Sequence, residues 1–182
     1  MLRNLKNIVL ALTLASTTAF AAEVMVGGQE MFATKDIIDN AMNSADHTTL
    51  VAAVKAAGLV DTLKGSGPFT VFAPTDAAFG RLPSGTVETL VKPESKATLT
   101  KILTYHVVAG KLDYNSLMKK IKAGGGSAEL KTVSGGTLTA MMNGQHNITL
   151  KDEKGNIANI STYDVMQSNG VIHVIDRVLM PE

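Results

Sequence analysis

The sequence contains no cysteine among its 182 residues. A chain without cysteine can form no disulfide bond, no thiolate metal site and no thiol nucleophile. Its stability must therefore come from the burial of apolar side chains and from backbone hydrogen bonds. The apolar core has to stabilise the fold without disulfide bonds.

The sequence also lacks an excess of charge of either sign. It has 17 basic and 16 acidic residues, and two of the basic ones, Arg3 and Lys6, lie within the first 21 positions. The rest of the chain is therefore close to neutral. A near-neutral surface predicts no binding to nucleic acid, which depends on neutralising phosphates. It also gives no electrostatic reason for docking on anionic lipid.

A third absence is a long apolar run. The apolar stretch that begins at Ile8 is interrupted by Thr13 and Ser16, whereas a membrane-spanning helix needs roughly 20 apolar residues. The basic start, the apolar stretch and the small residues of Ala19-Phe20-Ala21 are together typical of an export signal. We predict that residues 1–21 are cleaved. The mature chain is then exported, to the periplasm or the extracellular space, and has no transmembrane segment.

The length that remains after the signal predicts one ordinary domain with a core of its own. We divide it into an N-terminal segment, residues 22–33, and a single domain, residues 34–182. No internal repeat is visible in this part of the sequence.

Helical periodicity dominates the first half of the domain. Thr34 is predicted to cap a first helix, in which apolar residues recur on one face from Ile37 to Met42. A second helix is predicted over 46–57, and it ends at Gly58, a residue suited to a left-handed C-cap. Two further helices are predicted over 94–104 and 113–122.

One short run at 69–72 reads as a buried strand within this helical half. Pro74 closes the strand because proline has no N–H to donate to a sheet. Thr75 or Asp76 is then expected to cap a helical turn through Phe79.

The second half changes character, because glycine-rich turns separate runs of period-two or β-branched residues. The dipeptide Asn169-Gly170 suits positive φ and predicts a hairpin turn. Helices followed by strands indicate an α+β fold and not a repeating βαβ design. The predicted strands of this half are 128–133, 137–142, 148–151, 157–161 and 171–175.

Three stretches, in this order, resemble the fasciclin domain family. They are Thr70 to Phe79, the central Tyr105-His106-Val107-Val108, and the closing run from Asn169 to Pro181. The resemblance covers about residues 30–182. It implies a twisted β-sheet wedge or barrel with several helices packed across it, and a function in binding or adhesion.

The resemblance also implies where a partner would bind. In animal members, an acidic-apolar motif before the closing stretch and the central Tyr-His motif are linked to adhesion. The acidic motif matches only in part, and the chain has no Arg-Gly-Asp. An aspartate that caps a turn and aromatic residues in a core would explain the same residues structurally. The candidate partner-binding residues are Tyr105, His106, Tyr163, Asp164, Val165 and Met166.

The four histidines are dispersed, with no pair at the helical spacing that zinc sites use. We therefore predict no metal site and no cofactor. His106 and His173 each lie beside apolar strand residues, which favours buried, hydrogen-bonded core histidines. The chain has no Gly-x-Ser-x-Gly motif for a serine nucleophile, so we predict that it is not an enzyme.

Three functions remain open in order of preference. The first is an exported module that binds a protein or polysaccharide at a cell surface or in a matrix. The second is a periplasmic carrier that holds a small ligand in a cavity between sheet and helices. The third is a hydrolase, which would need a nucleophile close to His106 or His173.

Overall fold

A computed structural model of the protein describes residues 24–182. The predicted signal, residues 1–21, lies outside the described residues. Within them, no helix has the length and apolar character needed to cross a membrane.

The first half of the described chain is mainly helical. A two-stranded hairpin precedes the helices, and a short 3₁₀ turn, Pro93–Ser95, precedes α6. The elements are β1 (Val24–Val26), β2 (Gln29–Met31), α1 (Ile37–Asn43), α2 (Thr48–Ala57), α3 (Val60–Leu63), β3 (Phe69–Pro74), α4 (Asp76–Phe79), α5 (Thr86–Leu90) and α6 (Lys96–Tyr105).

The second half is mainly strands, with one further helix. The predicted strand at 157–161 extends to residue 167, because it pairs with one neighbouring strand over 157–159 and with the other, through an irregular stretch, over 160–167. The elements are β4 (Val107–Ala109), α7 (Tyr114–Ala123), β5 (Ser127–Lys131), β6 (Thr137–Asn143), β7 (Asn147–Lys151), β8 (Ile157–Gln167) and β9 (Gly170–Ile175).

Seven strands form one sheet in the order β4-β3-β9-β8-β7-β6-β5. All neighbours are antiparallel except β3 and β9, which run parallel. The two edges approach each other, because Val108 forms a bridge with Thr132 and Val133 N donates to Val107 O at 2.8 Å. The sheet is therefore a nearly closed barrel, and the predicted α+β architecture is confirmed.

The start of α1 differs from the prediction. Asp36, and not Thr34, caps the helix, and its carboxylate accepts from Asp39 N at 2.8 Å. The end of α2 is as predicted, since Gly58 adopts the left-handed conformation with φ 72°. A carboxylate and a hydroxyl are both good N-cap acceptors, so composition alone did not distinguish Asp36 from Thr34.

Thr75 and Asp76 have separate tasks at the corner after β3. Thr75 caps α4 by accepting from Ala78 N at 3.2 Å. Asp76 turns instead to the start of α2, where it accepts from Thr48 N at 3.3 Å and Thr49 N at 2.8 Å. The hydrogen bonds of these two residues therefore connect the starts of α2 and α4 to the end of β3.

The hairpin between β8 and β9 forms as predicted but for another reason. Gly170 is not in the left-handed region; it begins β9 and pairs with Gln167. A Cβ at this position would overlap the carbonyl oxygen of Phe69 in the adjacent strand. Glycine is needed for this close approach of two strands, so the reason we gave, positive φ in the turn, was wrong.

Asn169, which precedes this glycine, is a buried structural connector. Its Oδ1 accepts from Ile37 N at 3.0 Å, and its Nδ2 donates to Leu63 O and Gly65 O at 2.8 and 2.9 Å. One side chain therefore joins the β8–β9 turn to the start of α1 and the end of α3.

Two apolar cores lie on opposite faces of the central strands. Val71 and Ala73 of β3 point into the first core with α1, α2 and α6, whereas Phe72 points into the second core with α7 and β5–β8. This alternation is the period of two that a strand imposes. A sheet buried on both faces explains the apolar character of β3 and β9.

The hairpin formed by β1 and β2 packs against the domain. Val26 and Met31 belong to the first core, and the buried Asn40 bonds to both backbone groups of Phe32, at 3.0 and 2.7 Å. The division that we placed at residue 34 stays a prediction. The sequence patterns missed β1, β2, α3, α5 and β4, because elements this short display little of a period. The equally short α4, β5 and β7 were predicted from the capping and turn residues beside them.

Candidate functional site

The six candidate residues lie in two separate places. Tyr105 OH donates to Thr137 O, at the start of β6, whereas Tyr163 OH accepts from Ile148 N, opposite Met142 near the other end of that strand. Five residues of strand separate these two points, which is about 17 Å. We call Tyr105 and His106 the Tyr-His corner, and residues 163–166 the aspartate bulge. The two do not form one site.

Tyr105 is fully buried in the second core. Its hydroxyl donates to Thr137 O at 2.7 Å and accepts from Glu153 N at 3.1 Å. Burial is the main cause that raises the pKa of Tyr105 to about 12. The phenol is therefore neutral and joins the end of α6 to two strand ends.

His106 is also buried, with 2% of its surface exposed. Its Nδ1 lies 2.8 Å from Ile102 O and its Nε2 accepts from Leu179 N at 3.0 Å. A carbonyl can only accept, so Nδ1 carries the proton. Burial lowers the pKa of His106 to about 4. The ring is therefore neutral and joins α6 to the C-terminal residues.

The aspartate bulge is an irregular part of β8. The register between β8 and β9 shifts between Thr162 and Val165, and Asp164 has a φ of 55°. An aspartate in the left-handed region is uncommon. The conformation is held because Asp164 Oδ1 accepts from Tyr114 N at 2.7 Å, at the start of α7.

His173 stabilises this bulge from the neighbouring strand. Its Nδ1 accepts from Asp164 N at 3.3 Å, and its Nε2 lies 2.7 Å from Leu112 O. The proton is therefore on Nε2, the opposite tautomer to that of His106. Burial lowers the pKa of His173 as well. Both histidines are buried and hydrogen-bonded, which confirms the prediction.

Aromatic side chains surround the bulge. The rings of Tyr114 and Tyr163 meet edge to face with centroids 5.1 Å apart, and Tyr163 also contacts His173 at 6.0 Å. Tyr114, Tyr163, Asp164 and Met166 are half-buried. Tyr105, His106 and Val165 are buried, so among the candidates only part of the bulge is accessible from outside.

The two predicted core histidines offer no free ring nitrogen for general base catalysis. Each nitrogen of His106 and His173 already bonds to a backbone group. A pair that the sequence patterns missed is Ser44 with His47, whose Oγ and Nδ1 lie 2.8 Å apart. Its signal is serine and histidine three residues apart between two helices.

The Ser44–His47 pair lacks the rest of a catalytic arrangement. Both residues are buried. Nε2 of His47 makes no hydrogen bond of good geometry in the described residues, although the carbonyl of Ala73 lies close enough to oppose the burial that lowers its pKa. A triad needs a third group that orients the base through that nitrogen. The pair is better explained as a connector between α1 and α2.

His47 also lines an apolar cavity between the β1–β2 hairpin, α1, α2 and the sheet. Its volume is about 40 Å³, whereas a site that encloses most of a drug-sized ligand has roughly 300 Å³ or more. The cavity has room for a few waters. In residues 24–182, no group of three histidine, aspartate or glutamate side chains is placed to hold a metal ion.

Comparison with known sequences gives consistent matches. A family model described as Fasciclin domain matches residues 45–181. Protein sll1483 of Synechocystis sp. is 46% identical over 147 residues, which are 80% of this chain and 73% of that protein. Cell surface glycolipoprotein MPB83 of Mycobacterium bovis is 38% identical over 124 residues, which are 68% of this chain and 48% of that protein.

Comparison with solved structures gives the same fold. A FAS1 domain pair from the insect cell adhesion molecule Fasciclin I matches with a TM-score of 0.70 at 20% sequence identity. The match covers 80% of this chain and 51% of that one, so the chain spans about half of the pair. At this identity the likeness concerns the fold alone. The twisted, barrel-like sheet with helices that the sequence resemblance implied is confirmed.

Proposed function

The chain belongs to the fasciclin domain family, and on that basis we propose that it is an exported module that binds a protein or polysaccharide at a cell surface or in an extracellular matrix. Family membership is the observation that carries this proposal. One relative supports it by its description as a cell surface glycolipoprotein. The export signal at residues 1–21 is part of the same proposal.

The contact surface that we propose is the accessible part of the aspartate bulge, formed by Tyr163, Asp164 and Met166. Hydrogen bonds from the bulge to α7 and β9 hold this segment before any partner arrives. A segment that is already ordered loses little entropy on binding, and tyrosine is among the residues that contribute most at interfaces. Val165 supports this surface from the interior, whereas Tyr105 and His106 belong to the separate Tyr-His corner.

Arrays of glycans and cell-surface fractions, probed with purified protein from residue 22 onward, test the function. We expect specific binding to at least one fraction. Met166→Lys should reduce it at least tenfold, because a buried charge without a partner weakens an interface. Ser168→Lys adds the same charge two residues away on an exposed turn and should leave binding unchanged. Absence of binding to every fraction would contradict the function, and equal losses in both variants would contradict the bulge as the contact.

The carrier function has less support. The cavity between hairpin, α1 and α2 has about 40 Å³ of space, and a carrier needs several times that volume. We therefore expect native mass spectrometry of gently purified protein to give the mass of the polypeptide alone. A retained ligand would favour the carrier instead.

We also propose that the protein is not an enzyme. Both ring nitrogens of His106 and of His173 bond to backbone groups, which leaves neither ring available as a general base. Ser44→Ala tests the one serine–histidine contact discussed above. We expect the variant to differ from wild type in stability. Neither protein should hydrolyse ester or glycoside substrates.

A further inference from the structure

The two arginines that follow the predicted signal line the same cleft. The whole sequence has three arginines, and the third, Arg3, lies within the signal. Arg81 follows α4 and Arg177 follows β9, 96 positions later, yet both border a surface cleft of about 140 Å³. All other basic residues of the mature chain are lysines. Arginine presents a planar set of donors that matches a carboxylate in two bonds, which lysine cannot do.

The charges in the cleft leave one arginine available. Arg81 donates to Asp176 O at 2.9 Å and lies 3.5 Å from its Oδ2. The same carboxylate accepts from Asn159 N at 2.7 Å and from Asn159 Nδ2 at 3.0 Å. Arg177 is exposed, and within residues 24–182 its side chain has no ion pair or hydrogen bond. The guanidinium of Arg177 is therefore available, whereas that of Arg81 already bonds to Asp176, whose carboxylate also accepts from Asn159.

A buried acid, Asp152, holds two of the residues that line the cleft. Asp152 is 4% exposed and accepts from Asn156 N and Asn156 Nδ2 at 2.7 and 2.9 Å. It also accepts from Met180 N at 2.9 Å. Asn156 and Met180 both line the cleft. Because Nδ2 of Asn156 is used by Asp152, its amide oxygen is left as an acceptor without a partner in the described residues.

The remaining wall is apolar, formed by Ala78, Leu82 and Val178. The cleft thus combines guanidinium donors, one amide acceptor and an apolar surface within a small volume. A sugar acid offers the complementary groups, since it carries a carboxylate, hydroxyl donors and an apolar ring face. We propose that this cleft binds a uronate residue of an acidic polysaccharide, with Arg177 and Arg81 on the carboxylate and Asn156 on a hydroxyl. This inference rests on the proposed function and names the class of its polysaccharide partner.

Titration with trigalacturonate, followed by two-dimensional NMR of the ¹⁵N-labelled chain from residue 22 onward, tests the site. We expect shifts at the residues around Arg177 and a Kd on the order of 1 mM, which is typical of one small contact site. Arg177→Gln should weaken binding at least tenfold, the effect of removing a charge-assisted pair. Arg177→Lys should recover only part of the loss. Lys55→Gln removes the same charge from an exposed site on α2 and should not change the Kd.

Two further ligands separate a uronate from other carboxylates. Methyl-esterified trigalacturonate should not bind, and alanyl-alanine, which has a carboxylate without the sugar ring, should bind at least tenfold more weakly than trigalacturonate. Equal binding of the ester, equal loss in the Arg177→Gln and Lys55→Gln variants, or tighter binding of the peptide would overturn the proposal. Surface binding that persists in Arg177→Gln would refute this cleft and leave the proposed function standing.

Discussion

The Tyr-His corner and the aspartate bulge use the same chemistry at different depths. Each holds a neutral histidine through two backbone groups and a tyrosine hydroxyl through a backbone partner. The corner is fully buried, whereas Tyr163, Asp164 and Met166 at the bulge are half-buried. Both hydrogen bonds of His106 are buried, whereas those of His173 are partly buried. Water can therefore replace part of what His173 provides at the bulge, but not what His106 provides at the corner. Similar motifs can thus be wholly internal in one place and leave side chains partly accessible in another.

Replacement of the two core histidines gives the largest expected effect. His106→Ala leaves Ile102 O and Leu179 N buried without partners and should lower the free energy of unfolding by about 4 kcal/mol. His173→Ala should lower it by about 3 kcal/mol, because water can reach the bulge. Urea unfolding measures both. His146→Ala, in an exposed turn, is the control and should stay within about 0.5 kcal/mol of wild type. A larger loss at His173 than at His106 would break the comparison.

The pH dependence of stability should reflect the same two rings together with His47, whose pKa burial also lowers. In the folded protein the pKa of His106 is about 4, below the ordinary value of about 6.5, so the unfolded chain binds the proton first. Stability is then full above pH 6.5 and is lost as the pH falls towards 4, at up to about 1.4 kcal/mol per pH unit for each ring. Urea unfolding between pH 7 and pH 4.5 measures the slope, which should be shallower in His106→Gln than in wild type. An identical slope in both would contradict the assignment.

The conformation of the bulge can be separated from its hydrogen bond by substitutions at Asp164. Asp164→Ala keeps an unfavourable positive φ and loses the acceptor for Tyr114 N, for an expected loss of about 2 kcal/mol. Asp164→Gly loses only the acceptor and should cost about 1 kcal/mol. Asp164→Asn retains both features and should cost about 0.5 kcal/mol. Thermal and urea unfolding would rank the three, and alanine above glycine in stability would contradict the role of φ.

Removal of the two tyrosine hydroxyls gives the most direct comparison of the two places. Tyr105→Phe loses a bond to Thr137 O and one from Glu153 N, and should cost about 2 kcal/mol. Tyr163→Phe loses one bond, from Ile148 N, and should cost about 1 kcal/mol or less. Urea unfolding of both variants under one condition measures the difference. Equal costs would mean that the depth of burial does not distinguish the two places.

Much of the fold could be predicted because its signals are local. Gly58 and Thr75 act where their chemistry suggested, and the alternating residues of β6 and β7 form strands. The histidines at 106 and 173 were predicted as core residues because their neighbours are apolar. The exact start of α1 was missed, since Thr34 and Asp36 are both suitable caps and only their position relative to Asp39 N separates them.

The candidate sites could be predicted only in part. Resemblance indicated residues 163–166, but their shape depends on Tyr114 and His173, which lie 50 positions before and 9 positions after Asp164. The cleft that Arg81 and Arg177 border left only one weak indication in the sequence, which is that the chain has few arginines. No local sequence pattern predicts that two residues 96 positions apart will border the same cleft.

By itself, the sequence determined which of the longer segments become helices and strands, where several of them begin or end, and the absence of disulfide bonds. Periodicity, capping and turn preference act over a few residues, so they can be read along the chain. Only the tertiary structure decided that position 170 must be glycine, because a Cβ there would overlap the carbonyl oxygen of Phe69 in the adjacent strand. It also decided that the Tyr-His corner is buried and the aspartate bulge half-buried. These outcomes depend on which elements pack together, and packing joins residues that are distant in sequence.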